Sequence, residues 1–224
     1  MPPFIPLDAL ARWTRIALYG CAGFYALSAA ALPGNLAQLR PAEEYERSSG
    51  QTVYLQSTPS SDFLAVGLAA FVLTAIVFLV FFHRAYSNLA TLAPAERRYT
   101  PGWAVGSWFI PILSLFRPKQ IANDIWRGSD GSRVPPVFHW WWAFWLVGGI
   151  AYFGYDKEQV TVSEAKTVAF VQAAGETLLV AAALCAAAMV RLIARRQRLR
   201  AELIGQREQE RFLAAPEQIA PQAY

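Results

Sequence analysis

The sequence predicts an all-α integral membrane protein: four transmembrane helices plus a Pro/Trp-rich segment that is re-entrant or interfacial on the cytoplasmic side. Three observations carry this reading. Only 16% of the residues are charged and 55% are hydrophobic, where soluble domains run at about 25% and about 45–50%. The charges cluster between long apolar runs. The cations also favour alternate inter-run segments, as they do on the cytoplasmic side of a membrane.

A spanning helix needs about 20 apolar residues. Ile16–Leu32 is the first candidate, uncharged and preceded by Arg12 and Arg15. Its basic start and small-residue end are signal-like, and we read it as an uncleaved anchor. Phe63–Phe82, FLAVGLAAFVLTAIVFLVFF, is the second and clearest. Phe138–Tyr155 is the third and opens on HWWWAFW. Ala169–Val190 is the fourth, interrupted by Glu176. Residues 1–194 then form one transmembrane domain, and 195–224 a basic cytoplasmic tail. That tail begins as an amphipathic continuation of the last helix, and 215–224 are expected to be disordered.

The segment 103–116, WAVGSWFIPILSLF, decides the topology. As a helix its 14 residues would reach about 21 Å, against a hydrocarbon thickness of about 30 Å. Pro111 removes a backbone donor and disfavours helix at Ile110. With four spans and both termini inside, 16 of the 20 cations are cytoplasmic. A fifth span at 103–116 reduces that to 13. Four spans also put all eight tryptophans on the cytoplasmic side, where they are expected to anchor at headgroup level. Tyr25, Tyr152 and Tyr155 would mark the outer interface.

Lipid provides no hydrophobic drive for helix association, so small residues at helix contacts matter. Ala22, Ala26 and Ala30 recur at spacing four in the first span. Ala182 and Ala186, with Ala183 and Ala187, do so in the last. These two helices are expected to pack closely.

Three polar features stand out. On a helix continuing past the second span, Arg84, Asn88 and Thr91 share a face, with Ser87 beside them. Pro118 is suited to a helix start, after which Gln120, Asp124 and Arg127 line one face. Together with Tyr99, these groups are expected to form a cationic cytoplasmic face. Its candidate ligand-contacting residues are Arg84, Asn88, Tyr99, Arg117, Lys119, Gln120 and Asp124, suited to an anionic lipid headgroup. The third feature is Glu176 with Gln172 one turn before it. A carboxylate at membrane depth is costly and raises a functional question. It is either a polar clamp between helices or part of an ion path.

No CxxC, HExxH, Walker or GxSxG motif occurs. Cys21 and Cys185 sit in apolar runs and read as fillers. His83 and His139 lie at similar depth, but no further ligand set supports haem between them. No catalytic residue, cofactor or metal ligand is named from the sequence.

HRAYSNL, then YTPGWAVGSWFIPILSLFRPKQIANDIWR, then WWWAFW resemble a bacterial membrane family described as domain of unknown function 4328. The resemblance covers about residues 63–190, and PGWAVGSWFIPILSLFRP is its most specific part. It implies several spans around a central Pro/Trp-rich segment, and no activity. The expected location is the bacterial inner membrane. The expected role is a non-catalytic accessory or scaffold subunit of a larger assembly. A small transporter or channel using Glu176, and a lipid-headgroup binding protein or enzyme, are the alternatives. Membrane lipids, other membrane proteins or further copies of the chain are the expected partners, and nucleic acid is not.

Overall fold

A computed structural model describes residues 3–56, 61–130, 133–153 and 159–214. The expectations for Tyr155 and for residues 215–224 lie outside these. The helices are α1 (Asp8–Ala30), α2 (Leu32–Gln38), α3 (Arg40–Ser49), α4 (Ser61–Ser87), α5 (Leu89–Leu92), α6 (Trp103–Gly106), α7 (Arg117–Asp130), α8 (Pro136–Phe153) and α9 (Val162–Ala214). A short antiparallel pair, β1 (Tyr54–Gln56) with β2 (Gln159–Thr161), matches Leu55 to Val160.

Three helical runs are long and apolar enough to cross a membrane: Asp8–Ser49, Val66–Leu92 and Val162–Leu213. They contain the first and fourth predicted spans and all of the second but residues 63–65. The third, α8, is 18 residues long and would reach about 27 Å. Pro136, His139 and four tryptophans lower its hydropathy, although tryptophan is at home at a membrane interface.

α9 is the axis of the bundle. α1 and α8 both pack along it, and α4 packs on α1. The α8–α9 crossing is tight at two glycines. A Cβ on Gly148 would stand 3.0 Å from the Gly175 carbonyl oxygen, and one on Gly175 would stand 3.0 Å from the Tyr152 nitrogen. Only residues without side chains let two helix backbones approach this closely. At the α1–α4 contact, the Phe24 ring occupies the space that a Cβ on Gly67 would need.

The alanine stripe expected on α1 is only partly used. Ala22 is buried, whereas Ala26 and Ala30 are exposed. A spacing of four advances 400° around a helix of 3.6 residues per turn. The stripe therefore drifts off the contact, and Cys21 and Tyr25 take the inward positions. On α9, Ala182, Ala186 and Ala187 are buried.

The tryptophans divide. Trp13, Trp103 and Trp140 are exposed, as expected of anchors. Trp108, Trp141, Trp142 and Trp145 instead form one ring cluster with Phe78 and Phe82 of α4. Their spacing along the chain gave no sign that the insert would bring Trp108 onto the α8 run.

Residues 103–116 hold a four-residue helix, turns around Pro111 and one 3-10 turn at Leu113–Leu115. The Ser114 amide reaches back to the Ile110 carbonyl at 2.7 Å. Ala104 and Ser107 are buried against the bundle, while Phe109 and Ile112 point outward. Tyr99, before this insert, is bonded to Arg117, after it. The chain therefore leaves and rejoins the same end of the bundle.

At the far end, Thr161–Glu164 form a capping box that starts α9. The Thr161 amide donates to Glu164 Oε2 at 3.0 Å, and the Glu164 amide to Thr161 Oγ1 at 3.3 Å. This is the T-x-x-E pattern that satisfies first-turn donors. Lys166 pairs with Glu43 of α3 at 2.7 Å.

The glycine crossing predicts a contrast. Gly175→Val forces backbones apart and should destabilise by about 1–3 kcal/mol. Gly149→Ala, with open space around its Cβ, should be neutral or stabilising because alanine costs less chain entropy in a helix. Thermal unfolding of both variants in mild detergent measures the difference. Equal midpoints would show that the α8–α9 approach is not tight.

Candidate functional site

The residues expected to form one cationic face fall into three groups at the insert end. The first is built on Asn88. Its side-chain oxygen accepts from the Ile5 amide at 3.1 Å, and its nitrogen donates to the Ile5 carbonyl and to Gln197 Oε1, each at 2.9 Å. Gln197 in turn donates to the Ala85 carbonyl at 2.8 Å. Asn88 and Gln197 are both buried. This pair ties the segment before α1, the end of α4 and α9 together, so Asn88 faces inward, away from any ligand. Arg84, one turn earlier, is exposed and does not join it.

The second group does come together as predicted. Arg117 lies 4.4 Å over the Tyr99 ring and donates to the Tyr99 hydroxyl. It also donates to Gln120 Oε1 at 3.3 Å. The Tyr99 amide donates to the Tyr86 hydroxyl at 2.8 Å, which fixes the loop before the insert. Lys119 turns the other way and donates to Asn123 at 2.8 Å.

The third group is Asp124 with Arg98, whose Nε stands 3.5 Å from Oδ1. Asp124 is buried, and its Oδ2 has no partner among the described residues. A shallow concavity beside it is lined by Ala90, Pro94, Arg97, Arg98, Tyr99 and Thr100.

The intramembrane candidate lies toward the far end. Ser28 of α1 donates to Glu176 Oε1 at 2.5 Å, and Glu176 is buried. One turn on, Leu179 packs on Tyr25, whose ring meets that of Tyr152 edge-on. Gln172 is half-buried a turn earlier. The geometry is that of a hydrogen bond joining two packed helices.

A family model, Domain of unknown function (DUF4328), matches residues 51–195. The chain belongs to the DUF4328 family. No curated protein and no solved structure matches it. The DUF4328 region holds Asn88, the insert, α7, α8 and Glu176, and ends two residues before Gln197. α1, with Ser28, lies outside it. Sequence reasoning missed Ser28, Arg98 and Gln197. Gln197 had a signal: it is the one uncharged polar residue in RLIARRQRLR. It also falls on the buried line running through Val190 and Ile193.

Electrostatics set apart the α7 groups of this DUF4328 chain. Burial pushes Lys119 down to about 8, helped by the Arg127 charge. Burial pushes Asp124 up to about 6. Arg98 and Arg127 oppose that rise, but Arg98 is half exposed and its charge is screened. No group of three or more His, Cys, Asp or Glu among the described residues is arranged to hold a metal ion.

The Asp124 shift predicts a pH dependence. Its folded value stands above the ordinary 3.8, so folding takes up a proton between that value and about 6. Its contribution is complete at low pH and is lost as pH rises through about 6. Unfolding midpoints from pH 4 to 7 should fall less steeply in Asp124→Asn than in the parent. Parallel curves would show that Asp124 titrates as an exposed carboxyl.

Proposed function

We propose that this protein is a non-catalytic subunit of a larger assembly in a bacterial inner membrane. In this reading α1, α4, α8 and α9 are four spans, the insert dips into the inner leaflet, and both termini are cytoplasmic. The bond between Tyr99 and Arg117 supports the dip, because it joins the two ends of the insert. The excess of cations at the insert end supports the orientation.

The single observation that carries the assembly role is the free end of α9. Ile193, Ala194 and Gln197 are buried against α4, α5 and α7, and Arg200 still reaches the Leu92 carbonyl at 3.0 Å. From Gly205 to Leu213 every residue is exposed. This projecting end continues α9 beyond the Arg200 bond, and it fits a surface that another chain completes. Phe212 and Leu213 are among the most exposed apolar side chains. Of the polar residues that first read as a ligand face, Asn88 joins two helices, and Tyr99, Arg117 and Asp124 tie the loop before the insert to α7. That too suits a structural role better than a catalytic one.

Native mass spectrometry in mild detergent tests the role. The full chain should appear in a complex with further copies or with other membrane proteins, and a variant ending at Gly205 should lose it. Monomers in both cases would overturn the assembly reading. The topology is tested separately in a Cys21→Ala, Cys185→Ala background carrying Thr100→Cys or Arg133→Cys. An impermeant maleimide on intact cells should label neither until the membrane is permeabilised. Labelling of only one of the two would overturn the four-span map.

A further inference from the structure

Between α1, α4, α8 and α9 lies a cavity of about 290 Å³. Leu18, Phe78, Leu79, Trp145, Leu179 and Ala183 are typical of its walls. Its polar side chains are few. Thr74 is already engaged, donating to the Ala70 carbonyl at 2.8 Å. A buried water needs about two to four polar partners, and these walls do not offer them. The cavity is a site for hydrocarbon.

Its position says which hydrocarbon. The wall residues of α4 and α9 fall inside the second and fourth predicted spans. α4 packs on α1 and α8 packs on α9, and α4 meets α8 chiefly through the Phe78–Trp141 ring contact at 6.0 Å. Trp108 and Phe109 of the insert close the remaining gap. Phe109 is 73% exposed while lining the cavity, so the mouth opens beside it onto the surface of the bundle. At this depth in a bilayer that surface faces acyl chains.

The inner end is not purely apolar. Trp108 lines the cavity, yet its indole N–H has no partner among the described residues. The hydroxyl of Ser107, fully buried, has none either. Unspent buried donors are expensive and call for an acceptor. The indole N–H of Trp108 is a neutral donor on the cavity wall, and it suits an ester carbonyl.

We propose that this cavity holds one acyl chain of a glycerophospholipid, admitted between α4 and α8 past Phe109, with an ester carbonyl at the Trp108 indole N–H. The inference rests on the membrane-spanning reading above and goes beyond it by naming a ligand and a site.

The test uses the full chain in phosphatidylglycerol vesicles containing a trace of the same lipid with a diazirine on its acyl chain. After irradiation, adducts are mapped by peptide mass spectrometry. They should appear on the wall residues Leu79 and Ala183 as well as on the outward-facing Leu73 and Ile76. Ala183→Phe fills the cavity, and Ala75→Phe narrows it from a half-buried position that tolerates bulk. Either should reduce wall adducts severalfold by excluding the chain sterically, and leave those on Leu73 and Ile76 unchanged. Wall residues that stay unlabelled, or whose adducts survive both filling variants, overturn the site while leaving the spans intact. Loss of adducts from Leu73 and Ile76 as well overturns the spans and the site together.

Discussion

The close approach of α8 to α9 at Gly148 and Gly175 governs the rest of the bundle. Two helix backbones at this distance leave no room for side chains between them, so the crossing point is fixed. With α8 held there, its tryptophans are carried round toward α4, where Trp141 meets Phe78. α1 takes the other side of α9 through Ala182 and Ala186. Beside the Phe78–Trp141 contact the insert adds Trp108, whose ring meets Phe78 of α4 and both Trp142 and Trp145 of α8. The ring that this broken segment delivers joins the two helices.

Polar bonds fix the bundle at two depths. Ser28 with Glu176 joins α1 to α9 toward the far end. Asn88 with Gln197 joins α4, α9 and the segment before α1 at the insert end. Each satisfies groups that would be costly to leave bare in an apolar interior. Each is also local in space and remote in sequence, linking residues 148 and 109 positions apart. Bonds of that kind fix how helices sit against one another, which packing between smooth apolar surfaces alone does weakly.

Much of the architecture was legible because its causes are local. The long apolar helices and the irregular backbone around Pro111 each depend on a few neighbouring residues. The pairing of Tyr99 with Arg117 and Gln120 was also within reach, because both ends of the insert had been assigned to one face. The roles of Asn88 and Asp124 were not. A polar residue beside a span reads alike whether it faces a ligand or a buried glutamine 109 positions away. The tryptophans misled for a related reason: the same residue type serves at interfaces and in cores, and only the fold of the insert separates the two uses. The stripe on α1 failed because the buried face centres on Leu18, Cys21 and Tyr25; Ala22 lies at its edge, and the further ~40° to Ala26 leaves it.

One feature of α9 has a mechanical consequence. It runs 53 residues without interruption, about 80 Å. One end is joined to α3 through Lys166 and Glu43, and at the other Gly205–Leu213 are exposed. Between them α9 is held by α1, α8 and α7, so the direction of its tip is set by the whole bundle and not by one pairing at its start.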